Sequence, residues 1–270
     1  MRYQLKRLLS QLLSVGIANL GASGIKTGLC YPFFYCHSCP YAVAGCPLGT
    51  IEHAFYKGKI SIPLFLYPVL IIVAIASIFG RAICGWLCPI GLLQRVTSRF
   101  PRKNRFGKRI SEKVPQTVKN KLRYVKYINL VLLVIIAPHL IGFMFTDICP
   151  VGFLVGTIPI SILNYGEFVP NTFFPIAAVV FALFVILIFV SERGWCRYFC
   201  PLGALMAPLN KISLIYVSVD KDKCIHCNKC VEVCPMGIDV PNMHRSPECI
   251  LCGKCIEVCP KKIISYKVGR

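Results

Sequence analysis

Eight of the seventeen cysteines lie between residues 224 and 259, as Cys224-x2-Cys227-x2-Cys230-x3-Cys234-Pro235 and again as Cys249-x2-Cys252-x2-Cys255-x3-Cys259-Pro260. Three thiolates on a short looping segment can cap three irons of one cubane, while the fourth cysteine opens a helix that points toward the other cluster. Ligation therefore crosses over. One 4Fe-4S cluster takes Cys224, Cys227, Cys230 and Cys259, and the other takes Cys249, Cys252, Cys255 and Cys234. Zinc ribbons use two separated pairs and disulfides do not persist in a reducing cytosol, so the spacing favours iron and sulfide. His226 and His244 read as surface residues, because thiolates already complete both clusters.

A second pattern lies upstream. Cys84-Gly-Trp-Leu-Cys88-Pro89 and Cys196-Arg-Tyr-Phe-Cys200-Pro201 each set two thiols four positions apart, just after a long uncharged stretch. The tetrad Cys-Pro-aliphatic-Gly starts at residues 46, 88, 149 and 200, and a related Cys-Pro-Met-Gly starts at 234. The first four copies alternate: Cys46 leads through one apolar run to Cys84 and Cys88, and Cys149 leads through another to Cys196 and Cys200. A pseudo-two-fold axis along a membrane normal would bring these two pairs together as four thiols, the ligand count of a further cluster. Proline after the second cysteine suits the first turn of a helix, where the dipole favours a thiolate. Reduced cysteines packed as small hydrophobes are the alternative; two matched pairs with the same tail favour metal.

Cys30, Cys36, Cys39, Cys46 and Cys149 remain. A cluster on Cys36, Cys39, Cys46 and Cys149 leaves Cys30 over, and two disulfides with one spare thiol fit the same count. The tails of Cys46 and Cys149 tilt the choice toward metal. His139, beside Pro138 in an apolar run, is a candidate cofactor ligand, for a quinone carbonyl or a haem iron. The plainer reading has its ring bonding a carbonyl that Pro138 leaves unpaired. Trp86 and Trp195 read as interfacial anchors.

These residues need elements to hold them. Of 270 residues 56% are apolar and 16% charged, with a mean hydropathy of +0.63, which is oily for a soluble domain of this size. Residues 60–80, 127–146 and 168–190 carry no charge and meet the roughly 20 residues a bilayer requires. Residues 8–24 suit a signal peptide or a retained first helix, and are read as the helix. Twelve Lys and Arg against one acid, Glu112, lie between residues 95 and 126, and none lie in 147–171. Positive charge stays inside, so both termini are expected in the cytoplasm of a multi-pass inner-membrane protein, with 26–59 and 147–171 outside. The net charge of +20 flanks these spans, where it sets orientation and meets anionic membrane lipid. No nucleic-acid motif accompanies it, so nucleic acid is not an expected partner.

The fold class expected is therefore an α-helical membrane protein of about four transmembrane helices with an internal two-fold repeat, residues 1–210. An α+β double-cluster ferredoxin domain of the bacterial type follows, residues 211–270. The Cys84–Pro89 and Cys196–Pro201 motifs and the two C-terminal runs resemble those of membrane-bound polyferredoxins of the NapH, NosR and CcoG type, over roughly residues 60–260. The resemblance implies electron transfer by a redox subunit, commonly from quinol to a partner reductase as part of a quinol dehydrogenase, and reduction of copper in the oxidase-assembly branch. The chain departs from that pattern in its cysteine-rich outer loop. Three functions follow: electron exchange between quinol or a cytoplasmic donor and a redox partner protein; transmembrane reduction of an outer metal ion or thiol; or a noncatalytic assembly or sensory factor.

Overall fold

In a computed structural model of the chain, which describes residues 2–36, 39–98, 115–164, 169 and 172–269, the apolar runs form the longest helices. The order begins α1 (Arg2–Ala18), α2 (Pro47–Ala54), α3 (Ile62–Phe79), α4 (Ala82–Trp86) and α5 (Pro89–Ser98). It continues with α6 (Thr117–Leu140), α7 (Pro150–Leu163) and α8 (Phe174–Val190), then the short α9 (Gly194–Tyr198) and α10 (Pro201–Met206). Helices α3 and α6, with 18 and 24 residues, are long and apolar enough to cross a membrane. At 17 residues α8 falls one short of α3, and residue 168, where that span was expected to begin, lies outside the described residues. The most basic part of the 95–126 connection, residues 99–114, also lies outside them.

Three boundaries differ from the sequence reading. The third apolar helix was expected over 127–146 but runs from Thr117 to Leu140, stopped by Gly142 at φ 68°. Its turns widen to π geometry over Leu130–Ile136, ahead of Pro138, which has no N–H to give. The 147–171 connection is not all loop: α7 occupies it, a 14-residue apolar helix too short to reach across roughly 30 Å. The first helix, expected over 8–24, is α1 and ends at Ala18.

Helix α1 is polar on its inner side. Arg7, Gln11 and Ser14 are buried, while Leu5, Leu9, Leu12, Leu13 and Ile17 are each more than half exposed. The inward groups hold the turn after α4: Arg7 Nε and Gln11 Nε2 donate to the Gly85 carbonyl at 2.5 and 3.0 Å, and Ser10 Oγ donates to the Trp86 carbonyl at 2.8 Å. At its start, the Tyr3 N–H donates to Glu257 Oε1 and Gln4 Nε2 to the Cys252 carbonyl.

The C-terminal domain is built on two antiparallel strands, β1 (Ile215–Val219) and β2 (Ile264–Val268), paired from Ile215↔Val268 to Val219↔Ile264. Between them come the short helices α11 (Lys229–Glu232) and α12 (Lys254–Val258). Val217, Val240, Leu251 and Ile264 form its core.

This domain is locked to the helices by buried charge. Glu248 stands between Arg81, whose Nη1 is 3.0 Å from Oε2, and Lys126, whose ammonium contacts Oε1. Burial alone would raise the Glu248 pKa, but the two cations outweigh it and hold the carboxyl below its usual range. Asn210 adds bonds to the Ser246 and Cys249 carbonyls. Trp86 Nε1 donates to the Leu251 carbonyl at 2.8 Å, so this ring serves domain docking. Trp195 is buried against Phe184 and Phe199. Trp195 is therefore not the interfacial anchor expected of it, because it packs inward beside its cysteine motif, whereas Trp86 is half-buried with its N–H engaged.

Glu248→Ala would leave two buried cations unpaired, at a cost of about 3–5 kcal/mol. The expected outcome is a lower unfolding midpoint and faster proteolytic release of the fragment after residue 211.

Candidate metal centres

The C-terminal cysteines gather around two hollows. One is lined by Cys224, Cys227, Cys230 and Cys259 with Val219 and Ile263; the other by Cys234, Cys249, Cys252 and Cys255 with Met236 and Met243. These are the two crossed sets that the spacing predicts. Local backbone explains how: His226 and Asn228 have φ of 51° and 55°, and the matching positions in the second run, Leu251 and Gly253, have 47° and 73°. Left-handed residues on either side of the middle cysteine curl each loop around its hollow and turn amides inward. His226 and His244 are exposed.

The Cys-Pro-x-Gly tetrad forms one recurring device. Cys46, Cys149 and Cys200 have extended backbone and stand at helix N-caps with proline at N1. At Cys200 the sulfur accepts the N–H of Gly203, three residues on, at 3.4 Å, an N-cap made with sulfur; Cys46 and Cys149 make no such cap bond. All three thiols stand at the start of a helix, where a negative sulfur is favoured.

Cys84, Cys88, Cys196 and Cys200 come together, all buried. Burial pushes the Cys88 thiol up to about 12, and Cys196 and Cys84 push it further. Cys84 and Cys200 are raised by burial as well, each with Cys196 adding to it. Four buried thiolates this close need positive charge among them, and metal binding is the chemistry that displaces their protons. Gln94 Nε2 lies 3.1 Å from the Cys196 sulfur, and Met206 Sδ lies 3.8 Å from that of Cys84. Among the described residues, no three His, Cys, Asp or Glu side chains are grouped to hold a single metal ion.

Sequence reasoning missed Arg81 and Arg193. Each precedes the first cysteine of its pair by three residues, so the full repeat reads Arg-x2-Cys-x3-Cys-Pro-x-Gly. That periodicity was the available signal.

On the other side of the helices, Cys36, Cys46 and Cys149 face one another. Burial pushes Cys46 up to about 12, with Cys36 adding to it, and Cys149 rises by burial and then through Cys36 and Cys46. Cys39 is buried nearby, its sulfur 4.0 Å from the Tyr35 hydroxyl and from Asn19 Oδ1. Cys30 lies 3.5 Å from the Thr50 hydroxyl, and His37 is outside the described residues. All seventeen cysteines are unbridged. His139 Nδ1 is buried and makes no hydrogen bond, so the bond to a carbonyl expected beside Pro138 is not made at that atom.

Glu52 is fully buried beside this group; Thr146 donates its hydroxyl to Oε2 at 2.6 Å, and Oε1 has no partner. Burial raises its pKa to about 8 despite the Thr146 bonds. A carboxyl raised on folding favours the protonated native state, so its contribution is fully present below its ordinary value of 4.5 and is lost as pH rises to about 8. Wild-type stability should therefore fall between those pH values relative to Glu52→Gln, as read by thermal unfolding across that range.

The family model described as a 4Fe-4S binding domain matches twice, at residues 61–109 and 173–216, and a 4Fe-4S dicluster domain matches 216–260. The uncharacterized protein MJ0750 of Methanocaldococcus jannaschii is 31% identical over 195 residues, 72% of this chain and 74% of its own length. The ferredoxin-type protein NapH of Escherichia coli is 28% identical over 204 residues, 74% of this chain and 62% of NapH. The methylamine utilization ferredoxin-type protein MauN of Paracoccus denitrificans is 27% identical over 191 residues, covering 70% and 60%. No solved structure matches. With 4Fe-4S domains on these cysteines and relatives of this kind, the chain belongs to the NapH-like polyferredoxin family of iron-sulfur electron-transfer proteins.

Proposed function

We propose that the protein carries electrons between a soluble redox partner and the membrane, on cysteine-held clusters set in file from the tip of the C-terminal domain to the helices. One observation carries this reading: the second ligand loop of that domain sits directly on the first helical cysteine motif. Gly85 lies so close under the loop that a Cβ there would be 2.2 Å from the Ile250 carbonyl oxygen. Cys252 shares a buried cluster with Cys84, Cys88 and Cys200. A 4Fe-4S cluster supplies reversible one-electron transfer, with a potential set by burial, charge and hydrogen bonds. The residues hold the cysteine sets in register, exclude water and supply the charges.

Membrane embedding is supported by α3, α6 and α8, whose apolar faces are largely exposed, and by α1, which turns polar groups inward and leucines outward, as intramembrane helices do. At about 1.5 Å per residue, α1 links the ferredoxin loop at Tyr3 and Gln4 to the outer loop, where the Tyr31 hydroxyl donates to the Ala18 carbonyl. Four spans with both termini inside is the topology we adopt. The internal repeat is supported by one family model matching both halves.

The partner's docking face is the free end of the domain. Cys227 and Ile225 are exposed there, ringed by exposed Lys221, Lys223, Lys229, Lys261, Lys262 and Lys267. This suits an acidic electron carrier. Raising ionic strength should slow exchange with such a carrier several-fold, and Lys261→Glu with Lys262→Glu should slow it at low salt; stopped-flow rates check both.

On the membrane side, quinol exchange is the first reading, with His139, toward the outer end of α6, a candidate contact. The convergence of Cys36, Cys46 and Cys149 supports a second, reduction of an outer metal ion or thiol. Iron and acid-labile sulfide per chain in anaerobically purified protein test the core of the proposal. Replacing Cys84, Cys88, Cys196 and Cys200 by Ser should remove one cluster's worth, whereas unchanged iron would confine metal to the C-terminal domain. Cys149→Ser should spare reduction of the inner clusters by quinol under the first reading and abolish only outer-face reduction under the second.

A further inference from the structure

The two motif arginines are exchanged between the halves of the helical domain. Arg193 Nη1 donates to the carbonyl of Cys84 at 2.9 Å, and Arg81 Nη2 donates to the carbonyl of Cys196 at 3.4 Å. Each guanidinium fills the space left by the glycine of the opposite tetrad. A Cβ on Gly91 would lie 2.4 Å from Arg193 Nη1, and one on Gly203 would lie 2.9 Å from Arg81 Nη2. Both arginines are buried, at 1% and 0% exposure. Arg193 Nη2 and Arg81 Nε have no hydrogen-bond partner, while Arg193 Nη1 lies 3.9 Å from the Cys196 sulfur.

Glu248 pairs with Arg81, but among the described residues no carboxylate bonds Arg193. Arg7, Arg81, Lys126, Arg193 and Arg197 are all buried near the inner thiols and the domain junction, and of the two buried carboxylates among the described residues, only Glu248 meets this group; Glu52 bonds Thr146 on the far side. Uncompensated buried cations are among the costliest features a fold can carry. The junction therefore requires a buried anion. A cubane with four thiolate ligands is a dianion when oxidised, and takes a further negative charge on reduction.

We infer that Arg81 and Arg193 are the paired counter-charges of a cluster held by Cys84, Cys88, Cys196 and Cys200, each arginine reaching across to the other half, and that they raise its reduction potential. This rests on the proposed fourfold ligation. A fixed positive charge favours the more negative, reduced form, so the junction centre is poised to accept electrons from its neighbours. The outer tetrad at Cys149 lacks this feature: a Cβ on Gly152 would meet the Cys36 sulfur at 3.4 Å instead of a guanidinium.

The test uses the full-length protein, with iron and sulfide assays and potentiometric titration followed by electron paramagnetic resonance. The junction signal is identified as the one lost when the four cysteines become Ser. Arg193→Gln keeps a donor for the Cys84 carbonyl and removes the charge. It should retain the iron and weaken one-electron reduction about tenfold, which is about 59 mV for such a couple. Arg193→Lys should restore the potential, and Arg81→Gln, which leaves Glu248 paired with Lys126, should lower it in the same direction as Arg193→Gln. Full iron with an unmoved potential in Arg193→Gln overturns the inference, as does equal loss of the junction iron in the Gln and Lys variants, which would make the arginine a packing group. Unchanged iron in the four-serine variant instead overturns the ligation beneath it, and does so without any arginine variant.

Discussion

Neither a thiolate nor a guanidinium survives burial alone. The junction between the helices and the C-terminal domain buries both in number: four thiols of the helical motifs, the loop of Cys249 and Cys252 above them, and a group of cations of which Glu248 satisfies only two. Much else in the fold follows from reconciling these charges. Helix α1 spends its polar face on the Gly85 turn, Asn210 secures the loop from below, and Gly85 stays bare so that Ile250 can approach. Removing the anion or the cations would leave the other half of this arrangement unpaired.

The chain solves the placing of sulfur once and reuses the solution. An extended cysteine at an N-cap with a proline at N1 occurs in both halves of the helical domain. Glycine at the fourth position leaves room for charge, because a guanidinium rests where its side chain would be at residues 91, 203 and 237. The third of these guanidinia belongs to Arg197, within the second helical motif, which ties that motif to the Cys234 corner of the ferredoxin domain. Local capping chemistry and long-range electrostatics thus meet at one backbone position.

Much of this was legible in the chain. The two ferredoxin runs predict their crossed ligand sets because consecutive thiols in a short loop can reach only one cubane, a constraint of chain length. Apolar runs predict α3 and α8, since composition fixes the solvent an isolated helix tolerates. The pairing of Cys84 and Cys88 with Cys196 and Cys200 followed from repetition alone. Other features depended on neighbours distant in sequence. Residues 8–24 read as an ordinary first helix, but that the helix is α1 and carries Arg7 and Gln11 inward matters only because the Gly85 carbonyl waits there. Trp86 and Trp195 read as interfacial because indoles favour that zone, and tertiary packing buried Trp195. Helix α7 went unseen because its polar flanks and prolines resemble a connection.

Sequence by itself determined where the thiols fall, how many there are, and which local turns present them, because cysteine spacing and helix caps are short-range properties. Only the tertiary structure decided that Arg81 faces the second motif and Arg193 the first, that Glu248 stands between two cations, and that Cys39 turns toward Asn19 beside three converging outer thiols. Those outcomes come from the balance of buried charge among segments separated by a hundred residues or so, and no local propensity encodes such a balance.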